Sequence, residues 1–232
     1  MAYRTLRADC VIETIDRLTL RIGERFPESG LRRVAGELSA TARRCALEAE
    51  RLSRPQRWIR ASVYAVWIAG AGAAAFLAAG LHYDGFDMRA TNFVQVLEPA
   101  MNIAVLVGIG VIALGRMEAR YKRSRALDYL HELRSIAHVV DMHQLTKDPY
   151  REGAMLPETA HSPKEVVSGP LLERYLDYCS EMMSLVAKLA VLLAQSCRDG
   201  EVAAAASDIE TLTTGLSRKI WQKIMAMPAS QV

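Results

Sequence analysis

Two stretches decide the fold: ASVYAVWIAGAGAAAFLAAGL at residues 61–81 and PAMNIAVLVGIGVIALG at residues 99–115. Neither holds an acidic, basic or histidine side chain. As a helix the first, 21 residues long, rises about 30 Å, the thickness of a bilayer's hydrocarbon core. The second, at 17 residues, is at the short limit, but Phe93, Val94, Val96 and Leu97 can lengthen it. Gln95 and Glu98 then fall near the headgroups. The reading is a two-helix transmembrane hairpin, with spans over about 61–81 and 97–115 and a short external loop at 82–96.

Working outward, the flanks orient this hairpin. Arg51, Arg54, Arg57 and Arg60 precede the first span; Arg116, Arg120, Lys122, Arg123 and Arg125 follow the second. The connection carries Arg89 alone against Asp84, Asp87 and Glu98. Basic residues favour the cytoplasmic side, so both termini are expected in the cytoplasm and the loop outside. Arg54, Arg57, Arg60, Arg116, Arg120, Lys122 and Arg123 are the expected contacts to anionic lipid headgroups. The compact hairpin and the absence of an apolar leader in residues 1–10 point to a multi-pass protein of a bacterial cytoplasmic membrane.

Formal net charge is only +3, so the basic character is local, and no nucleic-acid partner is expected. Cys10, Cys45, Cys179 and Cys197 include no CxxC pair, which predicts reduced, buried thiols rather than a zinc or disulfide framework.

The remainder reads as helix almost throughout, so the fold class is an all-α membrane protein with a cytoplasmic helical bundle. Val11, Ile15, Leu18, Ile22 and Phe26 share one helical face. The PESG turn at 27–30 joins this helix to a second, with Leu31, Val34, Leu38, Cys45 and Leu52 near heptad spacing. These form an N-terminal αα-hairpin within residues 1–54, ahead of the hairpin region at 58–116. No breaker falls between Gly115 and Pro149, so the second span is expected to continue to about Leu145. The C-terminal domain, 117–232, then holds a loop at 146–169 with a capping box at Ser162 and Glu165. A helix opened by Pro170 and closed by Gly200 follows, and then a last helix from Glu201 to about Met227. The bundle thus combines two αα-hairpins with an extension of the second span.

Candidate functional residues are few. Gly72, Gly80, Gly108 and Gly110 are expected at close helix approaches, within the hairpin or between copies. Asn102 is the one strongly polar side chain of the second span, suited to hydrogen bonding a neighbouring helix or lining a pathway. No ionisable group lies in either span core, which argues against a proton relay. His131 and His138 share one helix face, and Asp141 lies near His138, a donor set of the kind that binds divalent metals. Seven residues of helix, however, separate the two imidazoles by about 10 Å. Buried polar contacts between helices are the simpler expectation.

His131-Glu132-Leu133-Arg134 resembles the start of the phospho-accepting box of sensor histidine kinases, and two spans feeding a cytoplasmic helix are similar to that family's layout. The resemblance implies phosphotransfer at His131. Ile136 stands where that family carries proline, and no glycine-rich lid or asparagine box follows. The layout also resembles two-span effectors of bacterial defence systems, which implies an oligomeric pore or membrane-disrupting effector gated by its cytoplasmic domain.

No nucleophile elbow, phosphate loop or carboxylate dyad is present. The sequence therefore predicts a protein that is not an enzyme and takes no cofactor. It is expected to act as a membrane-anchored interaction and self-association module. Its expected partners are the anionic bilayer, further copies of itself and a cytoplasmic protein. A metal-binding or phosphorelay element at His131 and His138 is the second alternative.

Overall fold

A computed structural model describes residues 5–55, 57–83, 90–147, 161 and 169–227; within these, the side chains of 57–60, 77, 78, 80–83, 90–97, 99 and 100 are not described. The described residues form six helices and no strand: α1 (Ala8–Arg25), α2 (Gly30–Ser53), α3 (Arg57–Tyr83), α4 (Ala90–Leu145), α5 (Gly169–Ser196) and α6 (Gly200–Met225). They fall into two compact units, Met1–Ser53 with Arg123–Val232, and Arg54–Lys122.

The first unit is a bundle with α5 at its centre, packed on α1, α2 and α6, while α1 also packs on α2. The four-residue steps read from α1 become its buried face, Val11, Ile15, Leu18 and Ile22. Ser29 shapes the α1–α2 turn, its hydroxyl donating to Phe26 O at 2.8 Å and accepting from the Arg32 amide at 3.2 Å. Phe26 is thereby held edge-on to Tyr175 and Tyr178 of α5, at 5.3 and 6.2 Å between centroids. Helix α5 is buried on most sides, with Leu176, Cys179, Met182, Met183, Val186 and Leu189 inaccessible. A helix with so wide an apolar face belongs at the centre of a bundle, while Glu173, Arg174 and Lys188 on its remaining side are exposed.

Two sequence expectations change at helix ends. Gly200 does not close α5: it is the first residue of α6, and Asp199 is the N-cap, accepting from the amides of Glu201 and Val202. A carboxylate at that position satisfies two otherwise orphaned donors, which outweighs the terminating tendency of glycine. Helix α5 starts one residue before Pro170, at Gly169, whose φ of 38° is a left-handed conformation natural to glycine. The capping box at Ser162 and Glu165 lies outside the described residues. Cys45, Cys179 and Cys197 are free and buried, whereas Cys10 is exposed, because it faces away from the Val11–Ile15 stripe of α1.

Helix α4 runs 56 residues without a break, ending at the leucine where the next breaker signals begin. Its segment from Met101 is long and apolar enough to cross a membrane, and none of that apolar window is buried. The described part of α3 has a shorter apolar run, Ala61–Phe76.

Candidate functional site

In the unit Arg54–Lys122, the apolar side chains point outward. Ile68 is 72% exposed, Phe76 81%, Leu106 69% and Ile109 60%, and Tyr64, Trp67, Met101, Val105 and Ile112 are also exposed. Monomeric soluble proteins seldom carry contiguous apolar surface on this scale. The less exposed positions of α3, Ser62, Val63, Val66 and Gly70, lie on one face; those of α4 include Val107, Gly110, Val111 and Leu114.

These faces meet at two points. A methyl group on Gly70 would sit 2.6 Å from Val107 Cγ2, and one on Gly110 would sit 3.5 Å from Val66 Cγ1. Gly70 is therefore the glycine that a neighbouring helix requires. Gly72 and Gly108 have open space at the corresponding position, and the surroundings of Gly80 lie outside the described residues. The face of α3 that carries Ala65, Ala69 and Ala73 is exposed. The signal for Gly70 was present in the steps Val63, Val66, Gly70, but composition alone gave it no more weight than Gly72.

The basic flank divides into distinct roles. Arg116 and Arg120 are exposed and make no ion pair among the described residues. Lys122 pairs with Glu118 at 2.9 Å and donates to Arg54 O at 2.9 Å. Arg123, expected at the headgroups, instead binds Asp199 and Glu201 at 2.9 and 2.8 Å. Despite some desolvation, Arg123 and the two amides of the cap hold Asp199 below the usual carboxylate range. Arg125 and Arg51 turn to the buried carboxylate of Glu48, at 3.2 and 3.5 Å. Arg54 is exposed, and the side chains of Arg57 and Arg60 are outside the described set.

Helix α4 holds His131, His138 and His143. His131 and His138 are both exposed, and Asp141 accepts from Gln144 Nε2 at 2.7 Å. Among the described residues no three His, Cys, Asp or Glu side chains gather as a metal-binding group. The two imidazoles lie on solvent-facing positions, so the expected buried polar contact is not formed by them. The histidine that does pack is His143, which is half-buried, with its imidazole against Gly30 at the start of α2. Desolvation, then the positive charges of Arg33 and Lys147, lower its pKa from the ordinary 6.5. It closes one end of a groove of about 390 Å³ between α2 and α4, lined also by Val34, Thr41, Glu132, Ile136 and Val139. Glu132 is tied to α2 through Thr41 Oγ1 at 2.9 Å and Arg44. The thiol of Cys45 beside it is pushed up to about 12 by burial and by the Glu132 charge.

No protein family, curated protein or solved structure matches this chain.

Proposed function

We propose that this is a non-enzymatic integral membrane protein of a bacterial cytoplasmic membrane. Helix α3 and the apolar part of α4 cross the bilayer as a hairpin, and the bundle is a cytoplasmic module for self-association and partner docking. The observation that carries this reading is the apolar window of α4, of which nothing is buried. Leaving such surface in water costs about 25 cal/mol per Å², a cost that lipid removes. The opposite running of the two contacts, Gly70 to Val107 and Val66 to Gly110, supports an antiparallel hairpin. Arg116 and Arg120, exposed and without an ion pair among the described residues, lie at the polar end of the apolar window and suit anionic headgroups.

The test is extraction of expressing bacterial membranes with alkaline carbonate, together with reporter fusions after residue 85 and at the C-terminus. Retention in the pellet, with a periplasmic reporter at 85 and a cytoplasmic one at the end, is expected. Release by carbonate would exclude the hairpin, and reversed reporters would exclude the orientation.

A second reading, the oligomeric pore or membrane-disrupting effector, is favoured by the open faces at Gly72 and Gly108. Substituting both with Leu should abolish depolarisation of expressing cells if those faces line or assemble a pore. A simple anchor tolerates the change.

A further inference from the structure

We infer that α4 carries an interface for a second copy of this chain, with Asn102 as its polar register pin; the inference rests on the membrane reading above. Asn102, Leu106, Ile109 and Ala113 are four, three and four residues apart, and all four are exposed. The same spacing continues to Arg116 and Arg120. This is a heptad seam, the pattern by which helices cross at small left-handed angles in soluble coiled coils and in most membrane bundles. It is distinct from the face of α4 that meets α3, where Val107 and Gly110 lie.

The side chain of Asn102 identifies the occupant. Fourteen helical residues place it about 21 Å from Arg116 along the axis. With Arg116 at the cytoplasmic boundary of a core about 30 Å thick, Asn102 lies inside the hydrocarbon, in its outer half. The contacts of Gly70 with Val107 and of Gly110 with Val66 put it level with Ala74 and Ala75 of α3, which offer no side-chain hydrogen-bonding group. Its amide has no partner among the described residues, and an unsatisfied amide in hydrocarbon is unfavourable. An amide both donates and accepts, so two copies satisfy each other when they meet at the same depth. Copies inserted with one orientation place Asn102 at the same depth automatically. A lone asparagine in an apolar seam is a known means of fixing register and stoichiometry. The basic ends, Arg116 and Arg120, repel across the seam, but they lie at the headgroup level, where water and anionic lipid screen them.

The experiment uses the full chain in bacterial membrane vesicles, with Cys10, Cys45, Cys179 and Cys197 replaced by Ala or Ser. Single variants Leu106→Cys, Ile109→Cys and Val111→Cys are oxidised, and cross-linked dimer is measured after carbonate washing. Dimer is expected at 106 and 109 and little at 111. Adding Asn102→Leu should weaken association by about 3- to 20-fold, the range of interhelical hydrogen bonds in membranes. Asn102→Gln, which keeps donor and acceptor, should retain most of it. Loss of the protein from washed vesicles would overturn the membrane reading itself. Carbonate-resistant protein that is monomeric, cross-links equally at 111, joins a different protein through 106, or ignores Asn102→Leu would overturn the interface while leaving that reading intact.

Discussion

At the scale of single residues, the side chains that matter most in the bundle are those whose ionisation the fold restrains. The pKa of His143 is lowered by partial burial, then by the charges of Arg33 and Lys147; Glu37 and Glu132 line the same groove. Its folded pKa lies below the ordinary 6.5, so the unfolded chain binds more protons in the interval between the two values. Stability is therefore complete above the ordinary value and declines as pH falls below it. Urea midpoints at pH 7.5 and 5.5 should differ in that direction, and His143→Phe should reduce the difference; an unchanged pH dependence in the variant would remove His143 as its source. The cysteines give a second expectation. Cys179, like Cys45, is a buried thiol raised to about 12, so a neutral-pH thiol reagent should modify Cys10 in the native protein and the remaining three only on unfolding. Labelling of Cys45 at the rate of Cys10 would contradict the packing of α2. Neither feature could be read from the sequence, because its spacing singled out His131 and His138 among the histidines, and all four cysteines looked alike. What separates them is the neighbouring helix, and helical periodicity reports only a residue's own.

Among the elements, helices were far more legible than their junctions. The apolar steps of α1 and the absence of a breaker before Pro149 set the buried face of α1 and the C-terminal end of α4, because a stripe that must be buried cannot change period. The expected loop at 82–96 is shorter, since α3 reaches Tyr83 and α4 already begins at Ala90. Junctions depend on hydrogen bonds among a handful of polar atoms, and these competed. At the α5–α6 turn glycine signalled a stop, whereas the acidic side chain before it made the following helix begin. Asp199 also receives Arg123 from α4, so one carboxylate caps α6 and ties it to α4. Asp199→Ala should cost about 1 kcal/mol through loss of the cap, and Asp199→Asn should recover the cap but not the ion pair. Thermal melts of the two variants separate these contributions; equal melting of Asp199→Ala and the native protein would show that the amides find another acceptor. The glycine positions follow the same logic. Composition marked the apolar helices as rich in small residues, but only the approach of Val107 distinguishes Gly70 from Gly72.

For the whole molecule, packing divides the chain into Met1–Ser53 with Arg123–Val232, and Arg54–Lys122. The core of the bundle draws on both ends of the chain, with Leu18 and Leu38 in the same buried cluster as Leu133, Met182 and Ile220. Among the described residues, every member of that cluster lies before residue 53 or after residue 125, outside the stretch Arg54–Lys122. The bundle should therefore fold without it. The points at which it would be cut are close, because Lys122 Nζ reaches Arg54 O at 2.9 Å. A lysine side chain extends about 6 Å, so a flexible linker of about six residues, with a typical span of 12–15 Å, can replace residues 55–121. Burial comparable to that of an independent domain remains in the roughly 165 residues left. The excised protein is expected to be soluble without detergent, strongly helical by circular dichroism and cooperative in urea, with Cys45 and Cys179 still protected. A molten, dye-binding product would mean that α4 must be continued through its apolar half before its links to α2 and α6 can form at the other end. A folded and soluble product would instead make the apolar unit an autonomous addition to the bundle, and any self-association that survived the excision would belong to the bundle rather than to the seam at Asn102.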